Sequence, residues 1–296
     1  MGPKAGEPRR LRAPPLAGRS PSLDSIVVAG CSAVRFRYAS GSHLPAVRLP
    51  DGVQVVGYDS RPDEPGLLVA AGGDVRREAL TPGTELAYTL RERHCAGTID
   101  SKTHTPCDRE RAPYCELHTV PWAVANNRDS DEEHAIYLAA FAPAVFKVGV
   151  TRSERLDTRL REQGADRAAH IAVARNGRIA RERETAIGVE HGITERVRVP
   201  TKVRGLAGEV DTEAWNGLCT EFEIHEEFAL EYGLDLAERP VAETLLTGTV
   251  RGVKGRIVVL DHAGTTYAVD LRNLVGYDLA AGATDRELQA SLAGFR

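Results

Sequence analysis

Hydrophobic positions in this chain fall mostly into short β-rich runs separated by Gly, Pro, Ser and Asp. "SIVVAG", "AVRFRYA", "VQVVGYD" and "GLLVAA" are such runs, and "TELAYTLRER" alternates apolar and polar residues. Runs of this length between turn residues predict strands, so residues 26–93 are expected to form a small β-rich domain. Residues 94–120 interrupt the pattern with a polar loop that carries cysteines. "ANNRDSDEEH" follows as a connector, and its acidic residues have the composition of a solvated loop.

The style changes over residues 134–200. "AIYLAAFA" and "FKVGVT" predict two strands joined by a short turn at Pro143. "RSERLDTRLREQGA" has Leu156 and Leu160 four apart, the spacing of one helix face, with Gly164 placed as a stop. "HIAVARNG" predicts a third strand ending in an Asn-Gly turn, and "RIARERETAIGVEHG" a second helix stopped by Gly192. The order is β-β-α-β-α. Residues 201–243 are expected to be a helical linker, with a helix around "FEIHEEFALEYG". Residues 244–296 predict a small β-barrel-like module with turns at Gly255 and Ala263-Gly264, closed by a helix over "TDRELQASLAGF". The fold class is therefore α+β.

Composition narrows the class without naming a function. A hydrophobic fraction of 42% and a charged fraction of 27% are those of a globular protein. No apolar run approaches the length of a membrane span. Residues 1–25 are rich in Pro, Gly, Ser and Arg and lack the apolar run of a secretory signal, so they are expected to be a disordered tail and the chain cytoplasmic. Residues 134–200 carry twelve basic and eight acidic residues inside a chain of net charge −4, as a surface that meets phosphates should. Residues 201–296 are acidic, which suits a protein partner or simple solubility. Only Lys4, Lys102, Lys147, Lys202 and Lys254 are lysines among 38 basic residues, so each lysine stands out from the arginine bias.

Three of the five cysteines fall within "HCAGTIDSKTHTPCDRERAPYCELH". In a reducing compartment, clustered cysteines beside a histidine predict a metal site rather than disulfides. Cys115 and His118 are close enough to hold one ion, and Cys95 and Cys107 complete a tetrahedral set. His94 and His104 are rivals for the fourth place. Four protein ligands leave no open position, so the expected zinc is structural. Cys31 and Cys219 are isolated and are expected to be packing residues.

The β-β-α-β-α order, the tyrosine in "AIYLAAF" and the glycine in "KVGVT" resemble the GIY-YIG nuclease superfamily. The resemblance implies that Tyr137 and Gly149 belong to a site with an arginine from the next helix, Arg159 or alternatively Arg155. It further implies a glutamate from the later helix, Glu184 or alternatively Glu182, that binds Mg²⁺ or Mn²⁺. Lys147 stands where the superfamily has its second tyrosine, a substitution similar to a "KIGxT" subgroup. Across roughly residues 26–282 the chain also resembles an uncharacterised prokaryotic family, DUF2797, through "CAG", "PC", "KVGVTR" and "EQGA". The implied core is GIY-YIG-like, flanked by the small β-domain with its zinc-binding loop and by the terminal β-module.

The residue chemistry agrees with either binding or cleavage of nucleic acid. Glu184 can hold a divalent ion, Arg159 can neutralise phosphate charge through its planar fork, Tyr137 can orient water, and Lys147 suits a phosphate contact. Gln163 shares the face of Arg159 one turn on. Three readings follow: a nucleic-acid-binding protein with a structural zinc, a divalent-metal-dependent nuclease, and a zinc-stabilised structural or partner-binding protein. Aromatic residues are only 5% of the chain, so binding should rest on phosphates rather than base stacking. P-loop, Rossmann and HExxH fingerprints are absent from the sequence.

Overall fold

The computed structural model describes residues 9–11, 52–61, 63–119, 130–284, 286 and 288. The expected strands "SIVVAG" and "AVRFRYA", most of the expected tail and nearly all of the expected terminal helix lie outside the described residues. The first strands are β1 (Arg9–Leu11), β2 (Gln54–Asp59), β3 (Gly66–Ala71), β4 (Asp74–Ala79), β5 (Glu85–Arg93), β6 (Thr98–Asp100) and β7 (Thr103–Thr105). Then come β8 (His134–Phe141), β9 (Val145–Arg152), α1 (Leu156–Gln163), β10 (Arg167–Ala174) and α2 (Gly177–Glu190). They are followed by α3 (Val199–Arg204), α4 (Thr212–Cys219), β11 (Glu226–Leu230) and β12 (Val241–Ala242). The last elements are β13 (Leu246–Lys254), β14 (Ile257–His262), β15 (Thr265–Asp270), α5 (Leu271–Leu274) and β16 (Tyr277–Ala281). The chain is α+β and mostly strand.

The smaller sheet has the order β1-β11-β10-β8-β9. Every residue of β8 is buried, because both faces of the sheet are covered. Ala135, Tyr137, Ala139 and Phe141 pack with Leu156 and Leu160 of α1 and with Phe228 of β11. Ile136, Leu138 and Ala140 pack on the other side with Ala180 of α2 and Trp215 of α4. Coverage of both faces is why "AIYLAAF" shows no alternation in sequence. The leucine spacing of α1 matches its buried stripe, and Gly164 ends it in the left-handed conformation at φ 69°. The Asn-Gly pair after β10 does not turn a hairpin. Asn176 caps α2 instead, its side-chain oxygen accepting from Ile179 N at 2.9 Å.

Two expectations need correction. The segment "FEIHEEFALEYG" contains no helix; Glu226–Leu230 is a strand paired antiparallel with β10. Its glutamates favour helix locally, but Phe228 and Leu230, two apart, both bury against the sheet. The linker's helices lie earlier, as α3 and α4. The two β-modules drawn at opposite ends of the chain share one sheet, in the order β12-β15-β14-β13-β5-β16-β2-β3-β4-β7-β6. Strand β5 pairs with β13 on one side and β16 on the other, and their apolar faces form one core. The expected turns at Gly255 and Ala263-Gly264 are present, with φ of 58°, 49° and 76°.

The two sheets meet where α1 ends. Gly164 and Gly255 both have positive φ and touch backbone to backbone. A Cβ on Gly255 would sit 2.6 Å from Gly164 N and 2.8 Å from the carbonyl carbon of Gln163. Around that contact Val203 of α3 and Leu206 just beyond it pack on Ile257, Val259 and Ala268 of the larger sheet. Lys254 pairs with Asp166 at 2.5 Å across the same junction. Gly255→Ala should therefore lower stability by about 1–3 kcal/mol, from left-handed strain together with overpacking. A urea titration should show an earlier midpoint with little change in slope.

Candidate functional site

The loop between β5 and β6, the segment that follows β7 and the turn at residues 112–119 form a compact donor cluster. Cys95, Cys107, Cys115 and His118 present ligand atoms that all lie within 4.8 Å of one another. His118 Nδ1 is 3.2 Å from Cys95 Sγ and 3.4 Å from Cys115 Sγ. A tetrahedral zinc with ~2.3 Å sulfur and ~2.0 Å nitrogen bonds has edges of about 3.5–3.8 Å. The observed separations lie close to that figure, so these residues can hold a metal ion such as zinc. Burial raises the Cys95 thiol above its ordinary value, and the Cys115 N–H that donates to its Sγ at 3.3 Å opposes that rise.

Both rival histidines are engaged elsewhere. His94 Nδ1 is 3.0 Å from the Cys107 carbonyl and Nε2 is 3.2 Å from Asp278, with Gln54 also bonded to its ring. His104 Nε2 bonds the Ala96 carbonyl at 2.9 Å. His94 thus ties the cysteine loop to β16, a link between distant parts of the chain that the sequence pattern does not reveal. Cys219 is half-buried, and burial pushes its thiol up to about 11, consistent with a packing role.

The second group of candidate residues surrounds Tyr137, which is 1% exposed. Tyr137 on β8 is registered opposite Gly149 on β9. Its ring lies across that glycine: a Cβ on Gly149 would fall 2.6 Å from both Cζ and the hydroxyl oxygen. The glycine is needed because no side chain fits beneath the ring. Gln163, the last residue of α1, donates from Nε2 to the Tyr137 hydroxyl at 2.5 Å. Its backbone carbonyl accepts from Lys202 Nζ at 2.6 Å.

Lys147 is 9% exposed, and its ammonium lies 5.8 Å from the centre of the Tyr137 ring. Lys202 on α3 stands 4.4 Å over the ring of Phe141. Such cation–π contacts return part of the cost of drying an ammonium, though not all of it. Arg159 is half-exposed and bonds Glu162 at 3.3 Å, while Arg155 takes the same carboxylate at 2.8 Å. Glu184 is 3% exposed and is tied to Arg181 at 2.6 Å. Burial raises its carboxyl above the ordinary range, with Arg181 and Lys147 opposing. Glu182 instead pairs with Arg178 at 2.7 Å on the exposed face of α2.

The fold therefore brings Tyr137, Lys147, Gln163 and Gly149 into contact and places Arg159 on the neighbouring helix edge. Glu184 feels the charge of Lys147 but is held by its own arginine. Lys202 and Lys254 enter this region although no local motif marks them. They come from α3 and β13, and the one sequence signal for them is that they are lysines in an arginine-rich chain. A small cavity at the junction is lined by Phe141, Asp166, Lys202, Leu206, Lys254 and Ile257, among others.

An α+β chain with a Cys3His centre and a lysine-rich junction between two sheets is the class this structure defines. The chain belongs to the family described as protein of unknown function DUF2797, which matches residues 115–279, more than half its length. No curated protein and no solved structure matches. Among the described residues, no helix is long and apolar enough to cross a membrane.

The donor cluster gives a direct test. Purified protein should carry about one zinc per chain by elemental analysis, as expected for a closed four-ligand site. Cys107→Ser should lose most of it and melt at lower temperature, whereas His104→Ala should keep the metal.

Proposed function

We propose that this protein binds nucleic acid through the face around Tyr137, and that the Cys3His centre holds a structural zinc. The observation carrying this reading is the convergence of Lys147, Arg159 and Lys202 on one side of the smaller sheet. Arg155 and Arg159 share one carboxylate there, which leaves surplus positive charge. A buried ammonium without an anionic partner is costly, and a phosphate is the ligand whose charge removes that cost. The β-β-α-β-α succession from β8 to α2, with the Tyr137 ring seated on Gly149, supports a GIY-YIG-like core. In a reducing cytoplasm the three thiols stay free to hold zinc.

A divalent-metal-dependent nuclease is the second reading. In its favour stands Glu184, a buried carboxylate on the helix after β10 with a lysine charge nearby. Mg²⁺ or Mn²⁺ at this residue requires its bond to Arg181 to open, and the Tyr137 hydroxyl would have to leave Gln163 before orienting water. Those two engagements favour binding over cleavage. Under the third reading, a zinc-stabilised partner-binding protein, the acidic residues of 201–296 would meet a protein.

The test is gel-shift titration of single-stranded and duplex DNA and RNA over a range of salt, with Mg²⁺, Mn²⁺ or chelator present. Binding should weaken steeply with salt, and Lys147→Ala or Arg159→Ala should each reduce affinity by roughly fivefold or more. Metal-dependent cleavage that Glu184→Ala abolishes would establish the nuclease instead. Neither binding nor cleavage would leave the partner-binding reading.

A further inference from the structure

Two ammonium groups flank the Tyr137–Gln163 pair, and among the described residues neither forms an ion pair with a carboxylate. Lys147, nine-tenths buried, rests over the Tyr137 ring, and Glu184, the carboxylate that feels its charge, is held by Arg181 at 2.6 Å. Lys202 has one acceptor, the Gln163 carbonyl, and an aromatic face. The other nearby cations are compensated: Lys254 by Asp166 at 2.5 Å, and Arg256 by Asp270 at 2.9 Å. Arg159 is half compensated, since Glu162 is shared with Arg155. The local surplus is thus the Lys147 ammonium, the Lys202 amine when protonated and a shared guanidinium, in a half-buried setting where charge is poorly screened.

An internal phosphodiester brings one negative charge. A phosphate monoester brings nearly two at neutral pH, with three acceptor oxygens. We propose that Lys147 and Lys202, assisted by Arg159, form a site for a phosphate monoester: the terminal phosphate of a nucleic-acid strand rather than a phosphate within it. This rests on the nucleic-acid reading and makes it specific. Strand ends also fit the setting better than a continuous backbone, because Lys147 is almost wholly enclosed and a passing strand reaches only exposed groups. The site positions an end; no bond is made or broken in it.

The charge state of Lys202 supplies a signature. Burial pushes its ammonium down to about 7, and Lys147, Arg256, Arg159 and Lys254 all push in the same direction. Asp166, which shares its cavity, is already held by Lys254. Free protein therefore carries a partly charged Lys202 near neutrality, and a dianion that binds there draws a proton onto it. Affinity for the monoester should fall roughly tenfold per pH unit above neutrality, the slope of one proton taken up. An internal phosphodiester contacted by arginines alone would show no such slope.

The experiment is calorimetric titration of the full chain with one single-stranded oligonucleotide in 5′-phosphorylated, 3′-phosphorylated and unphosphorylated forms. A nucleoside monophosphate and its nucleoside are added as small probes. A terminal phosphate should tighten binding about tenfold, the worth of one strong charge-assisted contact. Lys202→Met, which keeps the apolar stem, should remove that gain and the pH slope, so that the phosphorylated and unphosphorylated strands bind with equal affinity. Lys202→Arg, still charged at pH 8.5, should keep the gain there and lose the slope. A monophosphate that binds as tightly as the phosphorylated strand would support the site and assign it to small phosphate esters. Equal affinity for all three strands, unaffected by Lys202→Met, overturns the inference and leaves nucleic-acid binding standing. Absence of binding to every probe overturns both.

Discussion

Two glycines that must touch govern this structure. Gly164 ends α1 and Gly255 turns β13 into β14, and their backbones approach more closely than any side chain permits. That contact fixes the position of Gln163, one residue earlier. Gln163 in turn has two duties in opposite directions: its amide holds the Tyr137 hydroxyl and its carbonyl holds the Lys202 ammonium. The apolar packing of α3 on the larger sheet then sets the height of Lys202. The junction between sheets and the cationic site are thus one arrangement, and "EQGA" is the short stretch in which both are written.

Much of the central α/β unit is legible in sequence because its signals are local. Leu156 and Leu160 mark the buried stripe of α1, Gly164 and Gly192 mark helix ends, and the β-branched run before Thr151 marks β9. The Cys3His cluster is legible for another reason: metal chemistry restricts which residue types can gather in a polar loop. The strand at Glu226–Leu230 is not legible in this way. Its glutamates favour helix in isolation, and only pairing with β10 overrides them. Likewise nothing near residue 54 or residue 277 announces that β2 and β16 share a sheet. That information lies in pairings between residues far apart in the chain.

Lysine placement shows the same division. Lys147 could be singled out because it sits in a motif-bearing strand. Lys202 and Lys254 lie in unremarkable surroundings and gain meaning only when α3 and β13 fold toward the end of α1. Gln163 stands one turn after Arg159 in the sequence pattern, but its contact with Tyr137 depends on the sheet beneath. Local pattern identifies elements, while site chemistry here comes from elements separated by many residues.

The interleaving of the larger sheet also bears on how the chain comes off the ribosome. Strand β5 is flanked by β13 and β16, whose partners in register include Leu246 with Tyr88 and Tyr277 with Arg93. About 150 residues separate the two sets, which at ~5–20 residues per second is on the order of ten seconds of synthesis. Throughout that interval both edges of β5 lack their partners, even as the central unit between them can already close. An open edge recruits any other extended chain. Glu85, Arg91 and Glu92, exposed on this strand, give it the charges that discourage such pairing until the last strands arrive.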